Sequence, residues 1–435
     1  MKRIESIACC LLLIAGLFSC MTDDVSEDCP HTDSTKKGIA QVMLSLSVPN
    51  SQLPSPGTRA ISESGIHSLW LLEFENGALK EKADITTKYN NSNGKRLYVA
   101  IEETEHPVIL SVVANVDVSA LAIGTPQAET LRNLTFDNAS SLEYIPMYGE
   151  SQEFAGISRE NAYDTSIELV RALAKIEIQY SSTQTAEDFT FLGIKVLNTN
   201  AKGYVADIND IPTQLPVGAV EASPVSVNEG LKTASIYLAE TLNNIPNKVQ
   251  VLVHGRYRNT DCWYRLDMIK QTEGTENIEI TELKRNYKYV FALQNVNFEG
   301  RSETEAMNGE PDNKVFEARV MTLNAEEADI LDITTDDYYF LGVNTSTLQL
   351  TLNAEGLCFT KLKILTNNHQ EGWRIVDAPA GSTFSPGLTG GTALSDEQKE
   401  VSTIWIYIDR NLIRNDFNFY VTTGKIRKTI TVRMP

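Results

Sequence analysis

Two residues near the start of this 435-residue chain are of a type, and in a setting, that suits covalent chemistry. The first is Cys20: Lys2 and Arg3 precede a run of about twelve nearly all apolar residues, Ile7 to Phe18, which ends in Leu17-Phe18-Ser19-Cys20. Such a run is too short to cross a bilayer, which needs roughly 20 apolar residues, and has the length of a signal-peptide core. A small residue before a cysteine at the end of that core is a lipobox arrangement, in which the thiol receives diacylglycerol, although Phe18 is bulkier than usual there. Residues 1–19 are then a signal peptide, and Cys20 is a lipidated first residue. The second residue is Arg59, followed by Ala60, in Ser51-Gln52-Leu53-Pro54-Ser55-Pro56-Gly57-Thr58-Arg59-Ala60, whose prolines and glycine read as an exposed loop. Exposed loops of small and polar residues are where proteases cut. Residues 20–59 therefore read as a tether that can be severed.

Other chemistry finds no constellation. The five histidines, His31, His67, His106, His254 and His369, are scattered with no partner at metal-ligand spacing. No Gly-x-Ser-x-Gly, phosphate loop or His-Glu-x-x-His is present, and Gly387-Leu388-Thr389-Gly390-Gly391-Thr392 lacks the lysine of a phosphate loop and reads as a turn. Glu326, Glu327, Asp329, Asp332, Asp336 and Asp337 offer hard oxygens for Ca²⁺ but match no recognised loop spacing, and read as a solvated acidic face. Cys9 and Cys10 leave with the signal and Cys29 sits in a polar leader, so Cys262 and Cys358 read as free, buried or half-buried thiols. The net charge of −19, with no basic aromatic-studded patch, excludes nucleic acid as a partner. No enzyme, metal or cofactor is expected.

The elements that must position the leader are strands. Apolar runs of four to eight residues alternate with Gly, Asn, Asp and Pro almost throughout, and 42% hydrophobic residues suffice for several cores. Ala40, Val42, Leu44, Leu46 and Val48 share one face of a strand, opposite Gln41, Met43, Ser45 and Ser47, so that face is expected to be buried. Ile66 to Phe74 is a dense strand leading into Asn76-Gly77, a tight hairpin signal. Val108 to Val116 and Ile167 to Tyr180 are further strands, with a short helix near Ala128 to Leu131.

Several segments, in order, resemble the fimbrillins that build type V pili in the Bacteroidales. They are Ile66-His67-Ser68-Leu69-Trp70-Leu71-Leu72-Glu73-Phe74, Val112-Val113-Ala114-Asn115, Ile145-Pro146-Met147-Tyr148-Gly149, Arg171-Ala172-Leu173-Ala174-Lys175-Ile176, Tyr237-Leu238-Ala239-Glu240 and Arg285-Asn286-Tyr287-Lys288-Tyr289. Met21-Thr22-Asp23-Asp24 likewise resembles the acidic tract that sends Bacteroidetes lipoproteins to the outer face of the outer membrane. The resemblance implies two tandem fimbrillin-type, transthyretin-like β-sandwiches, over 60–170 and 171–298. It also implies an arginine-specific cut at Arg59-Ala60 that frees residues 20–59 with the lipid and the first strand. The open edge left behind would take a strand from another subunit.

The rest departs from that plan. Residues 299–313 read as a polar linker, and 314–435 carry about seven or eight short strands that suggest an immunoglobulin-like sandwich. Candidate strands there begin with Val315 to Val320 and end with Ile426 to Met434. In the last, Ile426, Ile430, Val432 and Met434 share a face, with Lys428 the exception. It either closes its own sandwich or is donated to the next subunit. The expected protein is thus all-β and is a fimbrial subunit in a surface adhesion fibre, tip or accessory in preference to stalk. Its expected partners are other subunits, an arginine-specific protease, outer-membrane lipid through Cys20 and a host or bacterial surface ligand. The alternative is an uncut surface lipoprotein that binds glycan or host protein through the last sandwich. Trp373 and Trp405 lie inside apolar strands there and are expected in the core.

Overall fold

The chain is all-β. The computed structural model describes residues 38–47, 65–92, 96–181, 185–212, 219–228, 231–243, 248–270, 278–313, 320–323, 330, 332–335, 339–352, 358–395 and 398–434. Among the described residues three hydrophobic cores lie along it, each between facing sheets, and a smaller fourth joins the second unit to the third.

The first unit contains β1 (Ile39–Ser47), β2 (Leu69–Glu75), β3 (Ala78–Asp84), β4 (Arg96–Glu102), β5 (Val108–Ala114), helix α1 (Gln127–Asn133), β6 (Met147–Glu150) and β7 (Tyr163–Glu168). One sheet has the order β4-β1-β7, and the other β3-β2-β5-β6 with Val170–Arg171 at its edge. Asn76 and Gly77 have φ of 51° and 75° and join β2 to β3 through a two-residue turn, as their left-handed preference requires. Gly149 has a different necessity: a Cβ there would sit 2.2 Å from the carbonyl oxygen of Glu168, so β6 passes the end of β7 only without a side chain.

The second unit holds β8 (Leu173–Ser181), β9 (Phe189–Leu197), β10 (Leu231–Ala239), β11 (Gln250–Tyr257), β12 (Thr260–Asp267) and β13 (Lys288–Leu293). Its sheets run β10-β8-β13, extended at both edges, and β9-β11-β12 with Val220–Ala222 beside β9. The apolar stretch Ile167 to Tyr180 is not one strand. It breaks between β7 and β8, where Ala172 N–H donates to Pro146 O at 2.9 Å and Asn286 N–H to Leu173 O at 2.8 Å. Those bonds come from distant segments, which periodicity cannot reveal. The break is also where the first and second cores part, and Arg285 there grips Glu240 through Nε at 2.8 Å while its Nη1 donates to Val205 O at 2.9 Å. Two segments that looked independent in sequence thus meet as one buried ion pair.

The stretch 299–313 is no free linker. Arg301 bridges to Trp263, helix α2 (Glu303–Asn308) starts on a Ser302/Glu305 capping box, and Asp312 and Asn313 side chains accept from the amides of Arg265 and Asp267 at 2.8 and 2.7 Å. Arg301, Asp312 and Asn313 hold the stretch to β12, while Ser302, Thr304, Glu305, Asn308 and Glu310 face solvent, so overall polarity does not distinguish a strap from a free linker. The next strand, β14 (Val320–Leu323), pairs antiparallel with β13 and so extends the second unit's sheet instead of opening the third.

The third unit holds β15 (Asp332–Thr335), β16 (Phe340–Val343), β17 (Thr347–Gln349), β18 (Cys358–Thr366), β19 (Trp373–Val376), β20 (Ser382–Ser385), β21 (Ser402–Ile408), β22 (Phe417–Thr423) and β23 (Ile426–Arg433). Its sheets run β15-β16-β18-β21-β20 and β17-β23-β22-β19. Cys262 and Cys358 are free and buried, one in the second core and one in the third.

Candidate functional site

The segment singled out at the start of the chain is the middle strand of its sheet. β1 pairs antiparallel with β4, Ile39 opposite Glu102 through Ser45 opposite Arg96, and parallel with β7, Val42 beside Tyr163 through Ser47 beside Glu168. Ala40, Val42, Leu44 and Leu46 are 1%, 0%, 0% and 7% exposed, and all belong to the first core. Opposite them on β4 stand Ile101, Val99 and Leu97, also buried, while Arg96, Tyr98, Ala100 and Glu102 face out. That clean alternation is the signal in the sequence for β4, whose apolar residues are too sparse to form a dense run like those of β2 and β5.

Among the described residues β4 and β7 have no ladder partner in a sheet other than β1. They are tied to one another beyond its end, where Thr104 and Ile157 exchange amide bonds of 2.9 and 2.8 Å and Glu103 accepts from Arg159 N–H at 2.7 Å. Taking β1 out would leave two edges held apart at one end, with an apolar floor between them. A strand in either direction could fill the slot, since one neighbour runs with β1 and the other against it. No side chain described on β1 is titratable. The chemistry available is main-chain hydrogen bonding and apolar burial.

The remaining candidates are placed as follows. Cys20, Val48, Arg59 and Ala60 lie outside the described residues. The far end of the chain, β23, lies between β22 and β17 in its own sheet, with Ile426, Ile430 and Val432 at 4%, 0% and 0% exposure and Met434 packed against the same core. Lys428, the polar exception on that face, reaches Asp332 Oδ1 at 2.6 Å and Thr334 Oγ1 at 2.7 Å on β15. Of the acidic run, Asp332 is therefore ion-paired, while Glu326, Glu327, Asp329, Asp336 and Asp337 lie outside the described residues. No group of His, Cys, Asp and Glu able to hold a metal occurs among the described residues.

The two tryptophans of the third unit differ. Trp373 is in the core, 2% exposed, its Nε1 donating to Ser402 Oγ at 3.0 Å. Trp405 is 40% exposed, contrary to the expectation that it packs inside, because strand parity puts it opposite the buried Ile404, Ile406 and Ile408. Phe359 lies 6.0 Å from it and 6.4 Å from Tyr407, so the outer face of β18 and β21 carries three rings. Trp373→Ala is expected to cost about 3–5 kcal/mol in denaturant unfolding, and Trp405→Ala no more than about 0.5 kcal/mol.

No protein-family model and no curated protein matches the sequence. Among solved structures the chain is similar to the tip fimbrial protein Mfa3 from Porphyromonas gingivalis with C-terminal truncation, at 12% identity and a TM-score of 0.44, over 66% of this chain and 99% of that one. It is also similar to a fimbrilin (fimA) from Porphyromonas gingivalis W83, at 14% identity and a TM-score of 0.41, over 60% of this chain and 91% of that one.

Proposed function

We propose that this chain is a subunit of a surface adhesion fibre, exported as a lipoprotein through Cys20, cut between Arg59 and Ala60, and completed by a strand from another subunit in the place of β1. The observation that carries this reading is that β1 is the middle strand of a sheet whose other two strands pair with nothing else among the described residues. A cut in the segment that follows it would release a strand at the centre of a core and open a slot with two strand edges, the arrangement that β-augmentation fills. The strand read as a candidate donor, β23, is engaged in this chain's own sheet. The subunit then receives a strand and offers none, which is the position of a fibre tip.

The test is digestion of the chain from residue 20, carrying Cys20→Ser, with an arginine-specific protease. Cleavage after Arg59 is expected to open the slot, so that the cut chain takes up a synthetic peptide carrying residues 38–48 in the place of β1, and Arg59→Ala to block both cleavage and peptide uptake. A clean cut that leaves a stable monomer retaining no β1 would sink strand exchange.

One observation favours a second reading, that of an uncut surface lipoprotein binding glycan or protein: the exposed ring of Trp405, with the half-buried rings of Phe359 and Tyr407 beside it, on the last unit. Under that reading Trp405→Ala abolishes surface adhesion by cells whose chain carries Arg59→Ala, while under the first those cells have already lost the fibre.

A further inference from the structure

The first unit contains a pocket of about 330 Å³ with no residue of β1, β4 or β7 in its lining. Three chain segments wall it: the entry into β2 with His67 before the strand and Trp70 within it, the exit from β5 with Asn115 and Asp117, and the approach to β6 with Glu143 and Tyr144. The rings of His67 and Tyr144 stack at 5.0 Å and 17°, and Trp70, partly buried against the first core, supplies the third ring.

Asn115 sets this geometry. Its φ of 63° ends β5, its Oδ1 accepts from His67 N–H at 2.8 Å, and its Nδ2 donates to Gly65 O and Ile145 O, each at 2.8 Å. One side chain thus fixes all three walls, so the pocket exists before any ligand arrives. Asp117 is kept ionised, its pKa lowered by hydrogen bonds from Ser119 N–H and Oγ–H at 2.8 Å each. Glu143 stands on the wall that leads to β6. No lysine or arginine lines the pocket; the nearby Lys82 ammonium is taken up by the carbonyls of Val118 and Leu121 at 3.1 and 2.8 Å.

Ring faces carry negative potential and attract cations, most strongly when a carboxylate shares the load. The net charge of −19 draws cations toward the whole molecule and repels anions. Two carboxylates without a third hard ligand make a poor metal site. We propose that the pocket binds an alkylammonium group, the rings of Trp70 and Tyr144 holding its apolar shell, His67 positioning Tyr144 by stacking, and Asp117 and Glu143 holding its charge. The proposal is independent of whether β1 is exchanged.

The group has two sources of one chemistry, a free quaternary amine or the side chain of a lysine. The test titrates choline and Nα-acetyl-lysine N-methylamide into the chain from residue 20 with Cys20→Ser, following the Trp70 indole resonance by NMR. 3,3-Dimethylbutanol, the neutral isostere of choline, and a neutral disaccharide serve as controls. At least one ammonium compound is expected to bind in the millimolar range, about tenfold or more tighter than the isostere. Binding of choline alone identifies the free amine as the source, and binding of the lysine compound alone identifies a protein side chain. Tyr144→Ala is expected to weaken binding about tenfold, and Glu143→Gln to weaken it and flatten its salt dependence, each with an unchanged melting temperature. Equal binding of the isostere, binding of the disaccharide alone, or no response to about 50 mM of either ammonium compound would overturn it.

Discussion

A chain that begins at Ala60 is expected to lose the first unit as a stable monomer, and to regain it when a synthetic peptide carrying residues 38–48 is added. The three large side chains of β1 described in the core are worth about 1.5–3 kcal/mol each on burial. Their sum, before any ladder bond is counted, is comparable to the roughly 5–15 kcal/mol that holds a whole domain together. Without β1 the slot must be filled or the sheet is lost, because β4 and β7 then have no strand between them. The measurement is amide exchange on the truncated chain. Protection is expected to vanish in β4 and β7 and to persist in β8, β10 and β13, whose core is separate. A peptide with Leu44→Asp should fail to restore it, since that carboxylate would be buried without a partner. Undiminished protection in the truncated chain would defeat the proposed role of β1.

Glu177→Ala is expected to destabilise the second unit by about 3–5 kcal/mol, the effect of stripping a buried cation of its partner. Glu177 is 4% exposed on β8, with Lys288 Nζ at 3.0 Å and Lys175 Nζ at 3.2 Å. Burial alone would raise its pKa. The charges of Lys288 and Lys175, with hydrogen bonds from Gln179 and Lys288, outweigh that and hold it at about 2. The same group joins two units, because Gln179 Nε2 donates to Glu177 while its Oε1 accepts from Ile333 N–H at 3.2 Å, and Lys288 Nζ donates to Ile330 O at 3.3 Å. The ionised carboxylate of Glu177 therefore holds in place two side chains that bond across to the third unit, beside the apolar cluster that joins the two units.

The sign of its pH dependence follows from that depression. A folded pKa below the ordinary value of 4.5 means that the stabilisation is fully present above about pH 4.5 and is lost progressively as pH falls toward 2. In the wild type, unfolding free energy should drop across that window. In Glu177→Ala the portion due to this group, roughly 3 kcal/mol, should be absent and the curve flatter. A variant as stable as wild type, with an unchanged acid limb, would refute the assignment.

The burial of β1 was legible because a strand with one apolar face has period two, and Ala40, Val42, Leu44 and Leu46 keep that period without interruption. The Asn76-Gly77 hairpin was legible because its backbone angles are a local demand. The pocket was not legible: Asn115 joins Gly65, His67 and Ile145 from three segments, and no local pattern announces a bond across 30 or more residues. Likewise the alternation around Trp405 put it in a strand but could not say which face was inside, since a short apolar run is compatible with either.

The sequence alone determined an all-β chain and an apolar strand over Ala40 to Leu46, and it carries no recognisable catalytic motif, because these depend on local composition and on the period of the strand. Only the tertiary structure decided that this strand is the centre of its sheet and not an edge, that residues 299–313 strap the second unit, and that β14 and β23 are engaged at home. Partnership is a long-range property. Which strand lies beside which is fixed by hydrogen bonds and buried faces contributed from distant parts of the chain, and the meaning of the first strand rests on its two neighbours.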